Sequence, residues 1–391
     1  MPTMKGGALL SQGGYGCVFH PEINCQGLET KNKKFVSKIQ KNDFSAKNEI
    51  FIGETILKAS KTREEKDSFA PVISHCPINI SEIKTEGLEN CNIITRKESS
   101  PNYIMVKVKY VNGGVLDTFI TSNQINPLIF SLFISIYTRL LKSIQFLIQH
   151  KIVHFDLKGQ NIIYYKEKEI PVLIDFGLSI PIEKLEKNEQ YYHYFYVYAP
   201  EYYIWPIEVH FLNFLENISS SPTTNDIKTL TNKYVDNNAA LQLMSPNFLL
   251  QYKKLCIHFL NSFLSMSVPE IKKKILSYWK TWDNYSLSIL YLKFIYILFG
   301  SKGMIKNNSY IIILIQLLLK NIHPNPERRL NIDKNIDIMK NLPFNTNIDQ
   351  LAVFDQLIKT IQKNKAIIVE KAGANSRHMA QLTKRVLYNE K

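Results

Sequence analysis

The chain has 391 residues, 45% hydrophobic and 21% charged, with 48 basic against 34 acidic side chains and a net charge of +14. That balance excludes a disordered or fibrous chain and leaves room for two or three compact units. The positive charge is scattered, with short clusters only at 31–34 and 272–274. It reads as a solvated basic surface that attracts acidic partners, not as a dedicated nucleic-acid site. Five cysteines without a tight pair point to reduced thiols instead of a disulfide framework. A metal held by Cys25, Cys76 and Cys91 is the alternative, with only loose spacing behind it. The first ten residues hold no apolar signal segment, and the longest apolar runs, 288–299 and 310–319, fall short of a membrane span. The expectation is a soluble, intracellular, cytoplasmic protein.

Ala8 to Phe19 reads as a strand, a glycine turn and a second strand. Phe35 to Ile39 alternates apolar and polar residues, as a half-buried strand does. Ala46 to Ala59 carries Ile50, Ile52, Ile56 and Leu57 at helical spacing on or near one face. Tyr103 to Val111 is β-rich and stops at the turn signal Asn112-Gly113-Gly114. From Pro127 the period becomes helical: 128–149 is a long amphipathic stretch with Arg139 and Lys142 on its polar side. Short β-rich runs follow at 161–165 and 171–174. Helical patterns then occupy 206–217, 247–266, 282–299, 309–321 and 350–364, with a capping box, Ser267-Val-Pro-Glu270, opening another. A β-rich part precedes a helical part.

The segment Ser11-Gln12-Gly13-Gly14-Tyr15-Gly16-Cys17-Val18 sets glycines between two strands, where backbone N–H groups approach phosphate oxygens without side-chain interference. A bare hairpin turn is the other reading. A dinucleotide fold is disfavoured because a strand follows the glycines. Lys38 lies in the strand Phe35-Val-Ser-Lys-Ile39. A strand lysine ordinarily points to solvent, but a helix with Glu49 and Glu54 follows at once. A carboxylate there could hold the ammonium over nucleotide phosphates. Most informative is His154-Phe-Asp156-Leu-Lys158-Gly-Gln-Asn161, followed by Val172-Leu-Ile-Asp175-Phe-Gly177. Phosphoryl transfer needs a carboxylate to take the hydroxyl proton, a cation near the moving charge and oxygen ligands for magnesium. Asp156 supplies the first, Lys158 the second, and Asn161 with Asp175 the third.

With these residues in this order, the sequence resembles the eukaryotic-type serine/threonine protein kinase family, from about Leu9 to Met339. The resemblance implies an α+β, two-lobed fold: a small antiparallel β-rich N-lobe with one helix (1–111) and a larger, mainly helical C-lobe (112–343). A helical insertion falls at about 202–282 and a C-terminal extension at 344–391. It implies an ATP- and Mg2+-dependent transfer of phosphate to a protein substrate, with Asp156, Lys158 and Lys38 catalytic. Nucleotide contacts fall to Leu10, Ser11, Gln12, Gly13, Gly14, Tyr15, Gly16, Val18, Lys38 and Glu49, with the backbone of Lys109 to Val111 meeting the adenine. Asn161 and Asp175 hold the metal. Tyr198-Ala-Pro-Glu201 resembles the end of the activation segment, with Arg329 as its buried ion-pair partner. Asp283 resembles the aspartate that braces the catalytic loop. Within the family the chain is most similar to kinases of nucleocytoplasmic large DNA viruses, by Phe19-His-Pro21 and its Asn/Ile/Lys-rich composition, which implies host cytoplasm or virion.

The chain also departs from the family. Ser11 stands where the first glycine is usual, and Phe155 where many kinases carry an arginine that pairs with a phosphorylated activation segment. Between Asp175 and Glu201 the only serine or threonine is Ser179, which agrees with activity independent of phosphorylation there. The threonine usual before Ala199-Pro-Glu201 is missing, with Tyr194 near its place, so tyrosine or dual specificity stays open. The 82 residues from Glu201 to Asp283 hold helical segments and mark a folded insertion. Glu49 is preferred over Glu54 as the partner of Lys38 because its helical face also carries Ile52 and Ile56. A catalytically idle scaffold and a small-molecule kinase are the alternatives.

Overall fold

The computed structural model describes residues 7–13, 16–26, 30, 32–83, 85, 87–94, 102–122, 127–188, 190–299 and 309–341. Gly14 and Tyr15, the helical pattern at 350–364 and the extension at 344–391 lie outside them. Two compact units emerge, one from the described parts of 1–114 and 161–181, the other from 115–160 and 182–341. The fold is α+β: the first unit is built on an antiparallel sheet and the second on helices.

In the first unit, β1 (Ala8–Gln12), β2 (Cys17–His20), β3 (Phe35–Lys41), β4 (Val72–Ile78) and β5 (Tyr103–Lys109) form one sheet in the order β1-β2-β3-β5-β4. Every pairing in it is antiparallel. Side chains alternate between faces along β3. Ser37 and Ile39 point to one side, where Cys17, Phe19, Ile23, Ile83, Cys91, Ile93, Tyr103 and Met105 make a core. Val36, Lys38 and Gln40 point to the other, which α1 (Phe44–Ala59) covers with Ala46 and Ile50 against Val72, Ile104 and Val106. Asp43 caps α1 by accepting from the N–H of Ala46 at 3.0 Å. A second sheet joins β6 (Gly113–Val115), β7 (Ile162–Tyr165) and β8 (Ile170–Leu173). Val172 from that hairpin packs with Ala70 and Val111.

Sequence periodicity missed β4 and the six-residue α2 (Arg63–Ser68). Only Val72 of β4 is buried while Ile73, Ser74, His75 and Pro77 are exposed, so the strand shows no clean alternation, and α2 is too short to show a period. Its capping box, Thr62 with Glu65, was the available signal.

The cysteines correct the sequence reading. Cys17 is bonded to Cys91 and Cys25 to Cys76, at sequence separations of 74 and 51 residues. The expected reduced thiols and the three-cysteine metal site are therefore both set aside. Neither pair is legible in spacing, because Cys17 of β2 meets Cys91, and Cys25 meets Cys76 of β4, only in the folded chain.

The second unit contains α3 (Leu116–Ser122), α4 (Pro127–Gln149), α5 (Ile182–Asn188), α6 (Ile207–Asn217), α7 (Thr224–Asn237), α8 (Pro246–Asn261), α9 (Val268–Leu276), α10 (Trp282–Phe299), α11 (Ser309–Asn321) and α12 (Ile332–Asn341). The stretch read as an insertion thus carries α6 to α9. Helix α10 is apolar nearly all round and buried accordingly, with Tyr291 packed on Phe133 and Tyr137 of α4 at 4.5 and 4.7 Å. Ser131–Gln149 of α4 has the length and apolarity of a membrane span, a signal the sequence reading passed over; 56% of it is buried within the fold.

Candidate active site

Lys38 owes its place to strand alternation, which turns it toward α1 beside Gln40. Its ammonium donates to both oxygens of Glu49, at 3.0 and 2.9 Å, and to Oδ1 of Asp175 at 2.9 Å. Gln40 adds a hydrogen bond to Glu49 at 3.1 Å. Glu49 thus holds Lys38, while Glu54 is exposed on the far side of the same helix. Burial pulls the Lys38 ammonium down, but Asp175 and Glu49 outweigh it and hold it above the usual lysine value. Burial pushes the Glu49 carboxyl up, and Lys38 works against that push. A cation gripped by two carboxylates keeps its charge and its direction.

Lys38's own strand crowds Gly16, at the far end of the glycine segment. The N–H of Gly13 donates to the carbonyl of Gly16 at 2.9 Å. A Cβ on Gly16 would stand 2.8 Å from the Ile39 carbonyl and 3.2 Å from the Lys38 side chain, so only glycine fits there. Leu10, Ser11 and Gln12 are exposed on β1, and Val18 on β2 pairs with Lys38 on β3. Lys109 ends β5, and Val111 beyond it is buried.

Asn161 just precedes β7 and Asp175 just follows β8. The N–H of Ile174 donates to the Asn161 carbonyl at 3.0 Å, so the two candidate metal ligands spring from paired backbone. Their donors are one amide and one carboxylate oxygen, the hard donors that magnesium takes in small number alongside phosphate. The Asp175 side chain is 35% exposed and accessible to an incoming cation. The residues therefore fit Mg2+. Among the described residues, no group of three or more His, Cys, Asp or Glu converges.

The predicted base and its lysine belong to the second unit. The Asp283 carboxylate accepts from the N–H of His154 at 2.7 Å and of Phe155 at 2.9 Å. Phe155 has φ 66°, a left-handed conformation that costs a bulky residue roughly 1–3 kcal/mol and persists only where neighbours enforce it. Asp283 holds its N–H, and the indole of Trp205 donates to its carbonyl at 2.7 Å. The Phe155 ring stacks on Trp205 at 4.8 Å and meets Phe195 edge-on at 5.7 Å. Where the family commonly carries an arginine, this chain has an aromatic core. Beyond the turn, the Lys158 ammonium lies 2.9 Å from Oδ2 of Asp156. Gly159 abuts the Asp117 carboxylate, which leaves no room for a Cβ there, and Gln160 donates to the same carboxylate.

One expectation is overturned. Arg329 pairs with Glu208, not Glu201: its guanidinium meets both oxygens, at 2.6 and 2.8 Å, with both side chains fully buried. The equivalent segment is therefore Trp205-Pro206-Ile207-Glu208, at the start of α6. A second Pro–Glu spacing in the sequence was the signal that could have found it. Nothing in the sequence pointed to Tyr202, whose hydroxyl bonds to Asp156 and, at 3.3 Å, to Lys158.

The sequence model of one family, described as the protein kinase domain, matches residues 9–204, just over half of the chain. No curated protein matches the chain significantly.

Proposed function

The chain belongs to the protein kinase domain family, and on that premise we propose that it is an active kinase, moving the γ-phosphate of ATP to serine or threonine hydroxyls of protein substrates. The observation that carries the reading is the grip of Glu49 and Asp175 on Lys38. An idle fold has no need to bury a lysine between two carboxylates. In this reading Lys38 anchors the nucleotide phosphates, and the backbone around Gly13 and Gly16 follows them. Asp156 receives the acceptor proton, and Lys158 stands by the transferred group. Asn161 and Asp175 would hold Mg2+, which neutralises phosphate charge when bound. Lys158, two residues after Asp156, supports a serine/threonine acceptor.

The aromatic seat of Phe155 supports activity that needs no phosphate on the activation segment, since packing supplies what a charge pair supplies elsewhere. The likeness to kinases of large DNA viruses remains part of the proposal, with the host cytoplasm or the virion as its setting. Disulfides persist in oxidising settings, virions among them, so the two bonded pairs favour the virion.

The test is transfer of labelled γ-phosphate from ATP-Mg to casein, myelin basic protein and the chain itself, with Asp156→Asn in parallel and phosphoamino-acid analysis after. Label that vanishes in the variant, as phosphoserine or phosphothreonine, is expected. A folded, nucleotide-binding wild type that transfers nothing to protein would sink the reading.

A further inference from the structure

Three groups close a ring within the second unit. The Tyr202 hydroxyl donates to Oδ1 of Asp156, the Lys158 ammonium lies 2.9 Å from Oδ2 of the same carboxylate, and that ammonium donates to the Tyr202 oxygen at 3.3 Å. Tyr202 is 6% exposed, and its ring meets Trp205 edge-on at 4.8 Å. Trp205 in turn holds the Phe155 carbonyl, next to Asp156 in the chain. Three residues after Trp205, Glu208 is fixed by Arg329. The phenol is therefore placed by a buried aromatic column with an ion pair at its end.

We propose that Tyr202 is a positioning residue: its hydroxyl keeps the Asp156 carboxylate and the Lys158 ammonium in one relative arrangement for phosphoryl transfer. The proposal rests on the kinase reading. A carboxylate and a lysine two residues apart, left to themselves, settle into whatever ion pair their flexible side chains allow. A hydroxyl that donates to one and accepts from the other fixes both, because it can do each at once. Holding reacting groups to a single geometry is where much of an enzyme's advantage arises, and small misplacements are expensive.

The experiment compares wild type, Tyr202→Phe, Lys158→Ala and the double variant, with Tyr196→Phe as an exposed control. Steady-state kinetics with ATP and casein run beside thermal unfolding. Tyr202→Phe keeps the ring against Trp205 and removes only the hydroxyl. The expected result is a kcat lower by about ten- to a hundredfold, with KM for ATP within about twofold and Tm within about 2 °C. Combined with Lys158→Ala it should cost little more than Lys158→Ala alone, because both variants break one unit. Tyr196→Phe should leave kcat unchanged. A Tyr202→Phe kcat within about threefold of wild type overturns the proposal, and so does a rise, which would make the phenol a competitor for the base. Unfolding of the variant, or losses that multiply with Lys158→Ala, would make the hydroxyl merely structural. A wild type without transfer fails the kinase reading and this proposal with it, whereas wild-type transfer with an unaffected Tyr202→Phe fails this proposal alone.

Discussion

Asn48, on the second turn of α1, donates from its side-chain amide to the carbonyl of Ser179 at 2.6 Å, across 131 residues of sequence. One turn earlier, the Ser45 hydroxyl donates to the Gly177 carbonyl at 3.0 Å. Positions 45, 48, 49 and 52 share a helical face, so the face that carries Glu49 is also tied to the segment that carries Asp175. Two side-chain bonds therefore set the helix at the depth where Lys38 can be held from both sides.

Asn48→Ala removes this buried hydrogen bond to the Ser179 carbonyl, at a cost of about 0.5–1.5 kcal/mol. The helix would then be free to withdraw, and kcat/KM for ATP should fall by at least about tenfold, with Ser45→Ala milder because its bond is only partly buried. Urea unfolding and ATP kinetics on both variants check this. Wild-type kinetics in Asn48→Ala would show that α1 needs no such tie.

Lys38→Met removes the cation between Glu49 and Asp175 and should reduce turnover by orders of magnitude. Glu49→Gln should come close to it, because an amide cannot neutralise the ammonium. Glu54→Gln, at an exposed position, should leave rates unchanged. Phosphate-transfer assays on the three variants separate the two glutamates, and equal losses at both positions would contradict the geometry.

Lys38, Asp156, Asn161 and Asp175 could be named as candidates from sequence because the short, local spacing that singles them out survives in one dimension. Glu49 was legible only through its helical face. The partner of Arg329 was misassigned because two Pro–Glu steps, at 200–201 and 206–208, compete in sequence, and only burial distinguishes them. Tyr202 and the two disulfides were invisible because each depends on residues brought together from distant parts of the chain. A tyrosine hydroxyl on Asp156 follows no spacing rule that a single sequence can express.

The Glu208–Arg329 pair is wholly buried, and Arg329 also donates to Thr281 at 3.0 Å and to the His323 carbonyl at 2.8 Å. Removing one partner strands a charge. Glu208→Ala is therefore expected to cost about 3–5 kcal/mol, and replacing both residues by apolar ones of similar volume much less. Glu201→Ala, at a half-buried position outside the Arg329 pair, should cost far less than Glu208→Ala. Chemical denaturation of the three variants decides between them, and a larger loss at Glu201 than at Glu208 would return the Arg329 partnership to Glu201.

Both disulfides lie in the first unit and close long loops. Cross-links of that kind stabilise by about 2–4 kcal/mol, chiefly by restricting the unfolded chain. Reduction with a phosphine should lower the unfolding temperature and the urea midpoint, and Cys25→Ser/Cys76→Ser should reproduce part of that fall without reductant. Thiol titration of the denatured, unreduced chain should find one group, Cys256. Five titratable thiols would remove the basis for placing the protein in an oxidising setting.

His210 of α6 is wholly buried between Trp205 and Tyr234, at ring distances of 5.9 and 5.3 Å. Burial pushes its pKa down to about 3, only partly opposed by the main chain of Tyr202 and Trp205. Tyr234, raised well above its usual value by burial, stays neutral throughout and adds no charge. In the unfolded chain the imidazole takes up a proton near pH 6.5. Below that point the unfolded state binds a proton that the folded state refuses, so acidification favours unfolding. The contribution of His210 is complete above pH 6.5 and is lost progressively toward pH 3, at about 1.4 kcal/mol per pH unit. His210→Phe, which keeps a ring of similar shape in an apolar seat, should flatten the decline in urea stability between pH 6 and pH 4.5. An unchanged slope in that variant would mean that another group controls the acid sensitivity of the packing behind Tyr202 and Trp205.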